Sequence, residues 1–161
     1  MKLLKKVSLP ILIAIFLPLI AFAKTEVSNK LPNVLFIIVD TLRPDHLGCY
    51  GYSQIKTPNI DSLAKEGTLF KNVISQAPLT FPSHCSLFTS TYPQLNYMRD
   101  NGNQRLGKDN ITLAERLQDN GYVTAAFVST FVLDSKFGLD QGFQTYDDQM
   151  QNAYELGRQD E

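Results

Sequence analysis

Asn33-Val34-Leu35-Phe36-Ile37-Ile38-Val39-Asp40 is the stretch whose reading decides the fold. A continuous apolar run rich in β-branched residues reads as a strand buried on both faces, the kind found in parallel sheets. It stops abruptly at Asp40. The carboxyl ends of such strands are where ligands collect in open α/β sheets, so Asp40 is a candidate ligand-binding carboxylate. A turn or cap formed with Thr41 is the other role open to it.

Downstream, Arg43 to Tyr52 is too rich in glycine and aromatics for a regular element and reads as an ordered loop with about one helical turn. Asp45 and His46 are adjacent, and adjacent side chains rarely converge on one ion, so both are assigned structural roles. Thr57-Pro58 opens a short helix over Asn59 to Glu66, with Ile60, Leu63 and Ala64 on one face and Gly67 as its stop. Thr68 to Ser75 is expected as a second strand. A helix from Ser83 to about Ser90 follows; Tyr92-Pro93 breaks the chain, and Asn96 to Lys108 is a polar loop. Thr112-Leu113-Ala114-Glu115 is a capping box whose helix ends at Gly121. Tyr122 to Ser129 is the next strand. The order strand, helix, strand, helix, helix, strand is an α/β pattern with a parallel or mixed sheet.

Upstream, Met1 to Ala23 places Lys2, Lys5 and Lys6 before an apolar run, Val7 to Phe22, and closes on Ala21-Phe22-Ala23. This is a secretory signal pattern with cleavage after Ala23. Pro10 and Pro18 interrupt the run, which argues against a stable membrane span, and no cysteine follows it for lipid attachment. Residues 24–31 are a linker, 32–148 the folded part, and 149–161 a polar tail expected to be loosely ordered. The expected location is exported, periplasmic or secreted. Setting aside the three signal lysines takes the formal net charge from −1 to −4, which excludes nucleic acid as a natural partner. Cys49 and Cys85 allow one disulfide at most; a bridge and two separate thiols both remain open.

The chemistry centres on Ala77-Pro78-Leu79-Thr80-Phe81-Pro82-Ser83-His84-Cys85-Ser86-Leu87-Phe88-Thr89. Thr80 sets a hydroxyl just ahead of a helix start, near unpaired N–H groups and the positive end of the helix dipole, a place that suits an anion. Two roles follow from these residues alone: helix cap or anion-facing nucleophile.

Together with Asn33–Asp40, Leu47-Gly48-Cys49-Tyr50-Gly51 and Thr57-Pro58-Asn59-Ile60-Asp61-Ser62-Leu63-Ala64, this stretch, continued to Tyr92-Pro93, resembles the sulfatase family within the alkaline phosphatase superfamily. Gly121-Tyr122-Val123-Thr124-Ala125 is a fourth similar piece. The resemblance implies an α/β, alkaline phosphatase/sulfatase-like sheet with flanking helices, incomplete here because only the N-terminal half of the domain is matched. It implies a divalent metal, zinc or calcium, with Asp40 as its first carboxylate, Thr80 as nucleophile and metal ligand, and His84 as a catalytic donor or a space-filling side chain beside the helix start. Asn101 is implied, more weakly, to line the substrate pocket.

The chain departs from the family pattern in three places. Sulfatases carry Cys-X-Pro-X-Arg with the cysteine oxidised to formylglycine, whereas Thr80-Phe81-Pro82-Ser83-His84 stands here. Ser129 and Phe131 occupy the positions of a sulfate-contacting Lys and His. The Asp-His and Asp-Asn pairs that complete the family's metal site are also absent: the only histidines are His46 and His84, and Asp147-Asp148 has no histidine beside it. A threonine nucleophile is what phosphatases, phosphodiesterases and phosphoethanolamine transferases of the superfamily use. The expectation is a metal-dependent hydrolase of phosphate or sulfate esters, phosphate favoured, acting on a small-molecule, glycan or lipid ester and weakly active or inactive as this chain alone. A phosphoethanolamine-type transferase and a non-catalytic binding module are the alternatives.

Overall fold

The computed structural model describes residues 31–149. The expected signal sequence, all of the expected linker but Leu31 and all of the expected tail but Gln149 lie outside the described residues. Two compact units divide between Leu35 and Phe36. Residues 31–35, the described part of the first, form no helix or strand and are exposed.

In the second unit two short 3-10 turns, Pro44–His46 and Gly48–Tyr50, precede helix α1, Pro58–Glu66. Pro58 fits the first turn because its missing N–H has no intrahelical partner there. The Thr57 hydroxyl accepts from Gly48 N at 2.9 Å and donates to Asp61 Oδ1 at 3.0 Å, so the helix start is tied to the preceding loop. Cys49 N donates to the same carboxylate at 2.7 Å. Helix α2, Thr80–Thr89, and the single turn α3, Pro93–Asn96, come next.

Helix α4, Leu113–Asp119, begins with the capping box read from the sequence. Thr112 Oγ1 accepts from Glu115 N at 3.1 Å, and Thr112 N donates to Glu115 Oε2 at 2.7 Å. Strand β1, Ala125–Phe127, pairs in parallel with β2, Thr145–Asp147, in the register Ala125 to Thr145, Ala126 to Tyr146 and Phe127 to Asp147.

The core sits on α2. Phe81, Cys85, Met98, Leu106, Leu133, Phe137 and Leu139 are buried together, with Phe88, Val128 and Val132 packed against them. Phe81 is fully buried and meets the Phe137 ring at 5.7 Å between centroids. Burying a phenylalanine side chain stabilises by about 2–3 kcal/mol, so this contact anchors the helix start that carries Thr80.

The α/β class holds, with corrections to the strands. Residues 33–39 and 68–75 form no strand, and the strand expected over Tyr122–Ser129 is confined to Ala125–Phe127. Leu35, Ile37, Val73 and Ile74 are each more than 70 % exposed. The physical reason is pairing: a strand buried on both faces needs a ladder on each side and helices over both faces. Among the described residues only β1 and β2 form a ladder. The second helix also starts earlier than expected, at Thr80 rather than Ser83. Pro82 is its third residue, and a first-turn proline forfeits no helical hydrogen bond.

Candidate active site

The turn after residues 33–39 holds Thr41 at φ 56°, a left-handed conformation that is strained for a β-branched side chain. Such strain costs about 1–3 kcal/mol and concentrates at functional sites. Thr41 Oγ1 donates to Asp40 O at 2.8 Å, which leaves the Asp40 carboxylate free for other partners. Asp40 Oδ2 accepts from Thr80 Oγ1 at 3.0 Å, across forty positions of sequence.

Thr80 is the first residue of α2, not its cap. Leu79 occupies the N-cap position with extended backbone, and no side chain there accepts a helix N–H. The Thr80 hydroxyl points at a carboxylate instead. Ser75 Oγ donates to Ala77 O at 2.8 Å, so in its 3.0 Å pair with Ser83 it is the acceptor and Ser83 the donor. This relay pins the segment entering α2. Sequence gave no cue to it, because Ser75 read as the end of a strand.

His84 lies one turn past Thr80, buried, with Nδ1 2.7 Å from Thr80 O. A carbonyl oxygen only accepts, so Nδ1 carries the hydrogen and Nε2 is the nitrogen available for proton exchange. Asn101 Oδ1 accepts from Phe81 N at 3.0 Å. Its loop is built rather than loose: Arg99 N donates to Gln104 Oε1, Gln104 Nε2 to Tyr97 O, each at 2.7 Å, and Asn101 N to Asp100 Oδ1 at 2.8 Å. Gly102 lies 3.8 Å, measured from the position a Cβ would take, from the Phe137 ring. Asp40, Thr80, His84 and Asn101 are thus all tied to the first turn of one helix.

Other reactive groups stand apart. Cys49 and Cys85 are both free thiols. Burial pushes the Cys85 thiol up to about 12, so no thiolate nucleophile forms near neutral pH. Asp45 is bound by Arg43 through Nε at 3.0 Å and Nη2 at 2.5 Å, which holds its carboxyl below the usual range, and His46 packs on Tyr52. Asp148 Oδ2 accepts from Ser135 N at 2.8 Å.

Among the described residues no three His, Cys, Asp or Glu side chains converge as a metal-binding group. Asp40 and Thr80 supply two oxygen donors. Carboxylate and hydroxyl suit a hard divalent cation, whose shell holds about six to eight oxygens, so they fit as part of a donor set.

A family model for sulfatases matches residues 32–159. The chain belongs to the sulfatase family. It is 41% identical over 101 residues to iduronate 2-sulfatase of Homo sapiens, which covers 62% of this chain and 18% of that protein. It is 31% identical over 132 residues to N-acetylglucosamine-6-O-sulfatase of Bacteroides thetaiotaomicron, covering 78% of this chain and 24% of that one. A solved structure of a protein bound to its substrate D-glucosamine-2-N,6-O-disulfate superposes with a TM-score of 0.63 at 32% identity, covering 71% of this chain and 22% of that one. This sulfatase-family chain thus spans about a fifth of the length of the relatives it matches. The fold is alkaline phosphatase-like, represented here in part by the helices and the small parallel sheet. The family generally uses a divalent metal. No helix among the described residues is long and apolar enough to cross a membrane.

Proposed function

We propose that this chain carries the nucleophile portion of an exported ester hydrolase in which Thr80 attacks the phosphorus or sulfur of an ester, phosphate esters being favoured. The observation that carries it is the Thr80 Oγ1 to Asp40 Oδ2 hydrogen bond at 3.0 Å, at the head of a helix that Thr80 does not cap.

Asp40 orients the hydroxyl and offers its proton an acceptor. A divalent cation held by Asp40 and Thr80, with further donors, would supply positive charge that lowers the hydroxyl pKa and offsets the negative charge of the ester. Thr80 Oγ1 attacks in line, its proton passes to Asp40, and the bond from phosphorus to the leaving oxygen breaks. His84, held through Nδ1–H, acts from Nε2 in its doubly protonated form, giving the Nε2 proton to that oxygen and becoming neutral. Water then attacks the phospho-threonine, giving a proton to His84 Nε2, while the bond to Thr80 Oγ1 breaks, Asp40 returns its proton to that oxygen and phosphate leaves.

Phosphate is favoured because Thr80 stands where formylglycine chemistry needs an oxidised cysteine. The Thr80 Cβ bears a single hydroxyl, so release requires a second attack at phosphorus or sulfur. The named relatives act on sulfated sugars, which supports a glycan or small-molecule ester as substrate. Lys2, Lys5 and Lys6 ahead of the apolar N-terminal run support export. One observation favours a non-catalytic reading instead: the described residues bring only two metal donors together.

The test is hydrolysis of aryl phosphate and aryl sulfate by the longest natural polypeptide carrying this sequence. Thr80→Ala should abolish turnover by about a thousandfold or more, as loss of a nucleophile does, and Thr80→Ser should retain part of it. Turnover unchanged in Thr80→Ala refutes the assignment.

A further inference from the structure

The helix that presents Thr80 begins without a cap of its own. Leu79 stands at the N-cap position, and an aliphatic residue has no acceptor for the helix N–H groups. Pro82 removes one of those donors and Ser83 N is taken by Leu79 O at 3.1 Å. The Thr80 and Phe81 amides remain, the first on a half-exposed residue that water can reach. Phe81 is fully buried, so its N–H is poorly placed to find water, and a buried unpaired amide is costly. The acceptor comes from twenty positions later, where Asn101 Oδ1 receives Phe81 N–H at 3.0 Å.

That loop also has hydrogen bonds of its own, Arg99 N to Gln104 Oε1 and Gln104 Nε2 to Tyr97 O. Asp100 Oδ1 holds the Asn101 backbone, and Gly102 lies against the Phe137 ring, which also packs on Phe81. The same aromatic ring thus lies near the loop that supplies the acceptor and packs on the residue that supplies the donor. Thr80 directly precedes Phe81, so a shift at the Phe81 amide displaces the Thr80 hydroxyl relative to Asp40.

We infer that Asn101 is a positioning residue: through its Oδ1 it caps the Thr80 helix from outside and sets where the Thr80 hydroxyl stands. This rests on the proposal that Thr80 is the nucleophile and assigns Asn101 a role distinct from contact with the substrate. The two roles use opposite ends of the amide. Capping needs the oxygen; contact with an anionic ester needs the Nδ2 hydrogens.

Asn101→Asp keeps an oxygen acceptor at the helix start, where a negative charge is favoured by the helix dipole, and removes the donor. Asn101→Ala removes both. In Asn101→Ala the Phe81 amide should exchange with deuterium at least tenfold faster, and kcat for the ester should fall at least tenfold with little change in KM. Asn101→Asp should restore amide protection and most of kcat. Unchanged Phe81 protection in Asn101→Ala overturns the capping role. Protection restored by Asn101→Asp without recovery of kcat also overturns the inference, and assigns Asn101 to substrate contact. Amide exchange is read without turnover, so a fully active Thr80→Ala would refute the nucleophile while leaving the cap to be judged on its own.

Discussion

Two threonines stand at two helix starts, and replacing each by alanine separates a helix cap from a hydroxyl that caps nothing. Thr112 is fully buried; its hydroxyl accepts from Glu115 N at 3.1 Å and donates to Gln141 O at 2.9 Å. Loss of an N-cap hydroxyl costs about 1 kcal/mol. Leaving the Gln141 carbonyl without its donor adds about 1 kcal/mol or more. The missing methyl leaves a small void worth roughly another 1 kcal/mol. Thr112→Ala should therefore destabilise by about 3 kcal/mol.

Thr80 is half-exposed at the first helical position, and its hydrogen bond is to a solvent-facing carboxylate. Thr80→Ala gives up about 1 kcal/mol or less for that bond and regains roughly 0.5 kcal/mol in helix propensity. The net change should lie near zero. At about 3 °C per kcal/mol for a chain of this size, the midpoint should fall by about 9 °C in Thr112→Ala and by about 2 °C or less in Thr80→Ala. Thermal unfolding followed by far-ultraviolet circular dichroism measures both. A Thr80→Ala loss equal to that of Thr112→Ala would refute the reasoning, because Thr80 would then be a structural cap.

The Cys85 contribution to stability should be level up to about pH 9 and then fall, because the unfolded chain loses that proton there while the folded chain keeps it to about 12. The slope from this one group is about −1.4 kcal/mol per pH unit, read by urea unfolding, and Cys85→Ala should remove it. Tyr146, also raised by burial, adds a like slope above its ordinary pKa of 10.0, which Tyr146→Phe should remove. Gly142 has φ +81°, and a Cβ there would run into Glu115 N and lie 2.7 Å from Ala114 C, so Gly142→Ala should destabilise by roughly 3 kcal/mol or more, again by urea unfolding. Calorimetric titration of this chain with zinc or calcium should show dissociation constants weaker than about micromolar, as expected for two oxygen donors; nanomolar binding would contradict the donor count.

Local chemistry was legible in the sequence where it acts within a few residues. The Thr112 capping box, the Gly67 stop and the proline at the start of α1 use neighbours in the chain, so spacing alone exposes them. The lack of strands at 33–39 and 68–75 was not legible, because a ladder depends on partners elsewhere in the chain and hydrophobicity does not supply them. Strand β2 went unread for the complementary reason: three residues, Thr145–Asp147, carry too little pattern until β1 lies beside them.

By itself the sequence determined which groups are present: a carboxylate closing an apolar run, a threonine where the family has cysteine, one histidine a turn beyond it, and a cysteine, Cys85, only five positions after it. Only tertiary structure decided how they are paired. The Thr80 hydroxyl had two candidate partners, a helix N–H three residues away or a carboxylate forty residues back, and one-dimensional spacing favours the first. Leu79 in the cap position and Asp40 at 3.0 Å reverse that preference. A hydrogen bond is set by distance and direction in space, and those exist only once α2 has docked on its core.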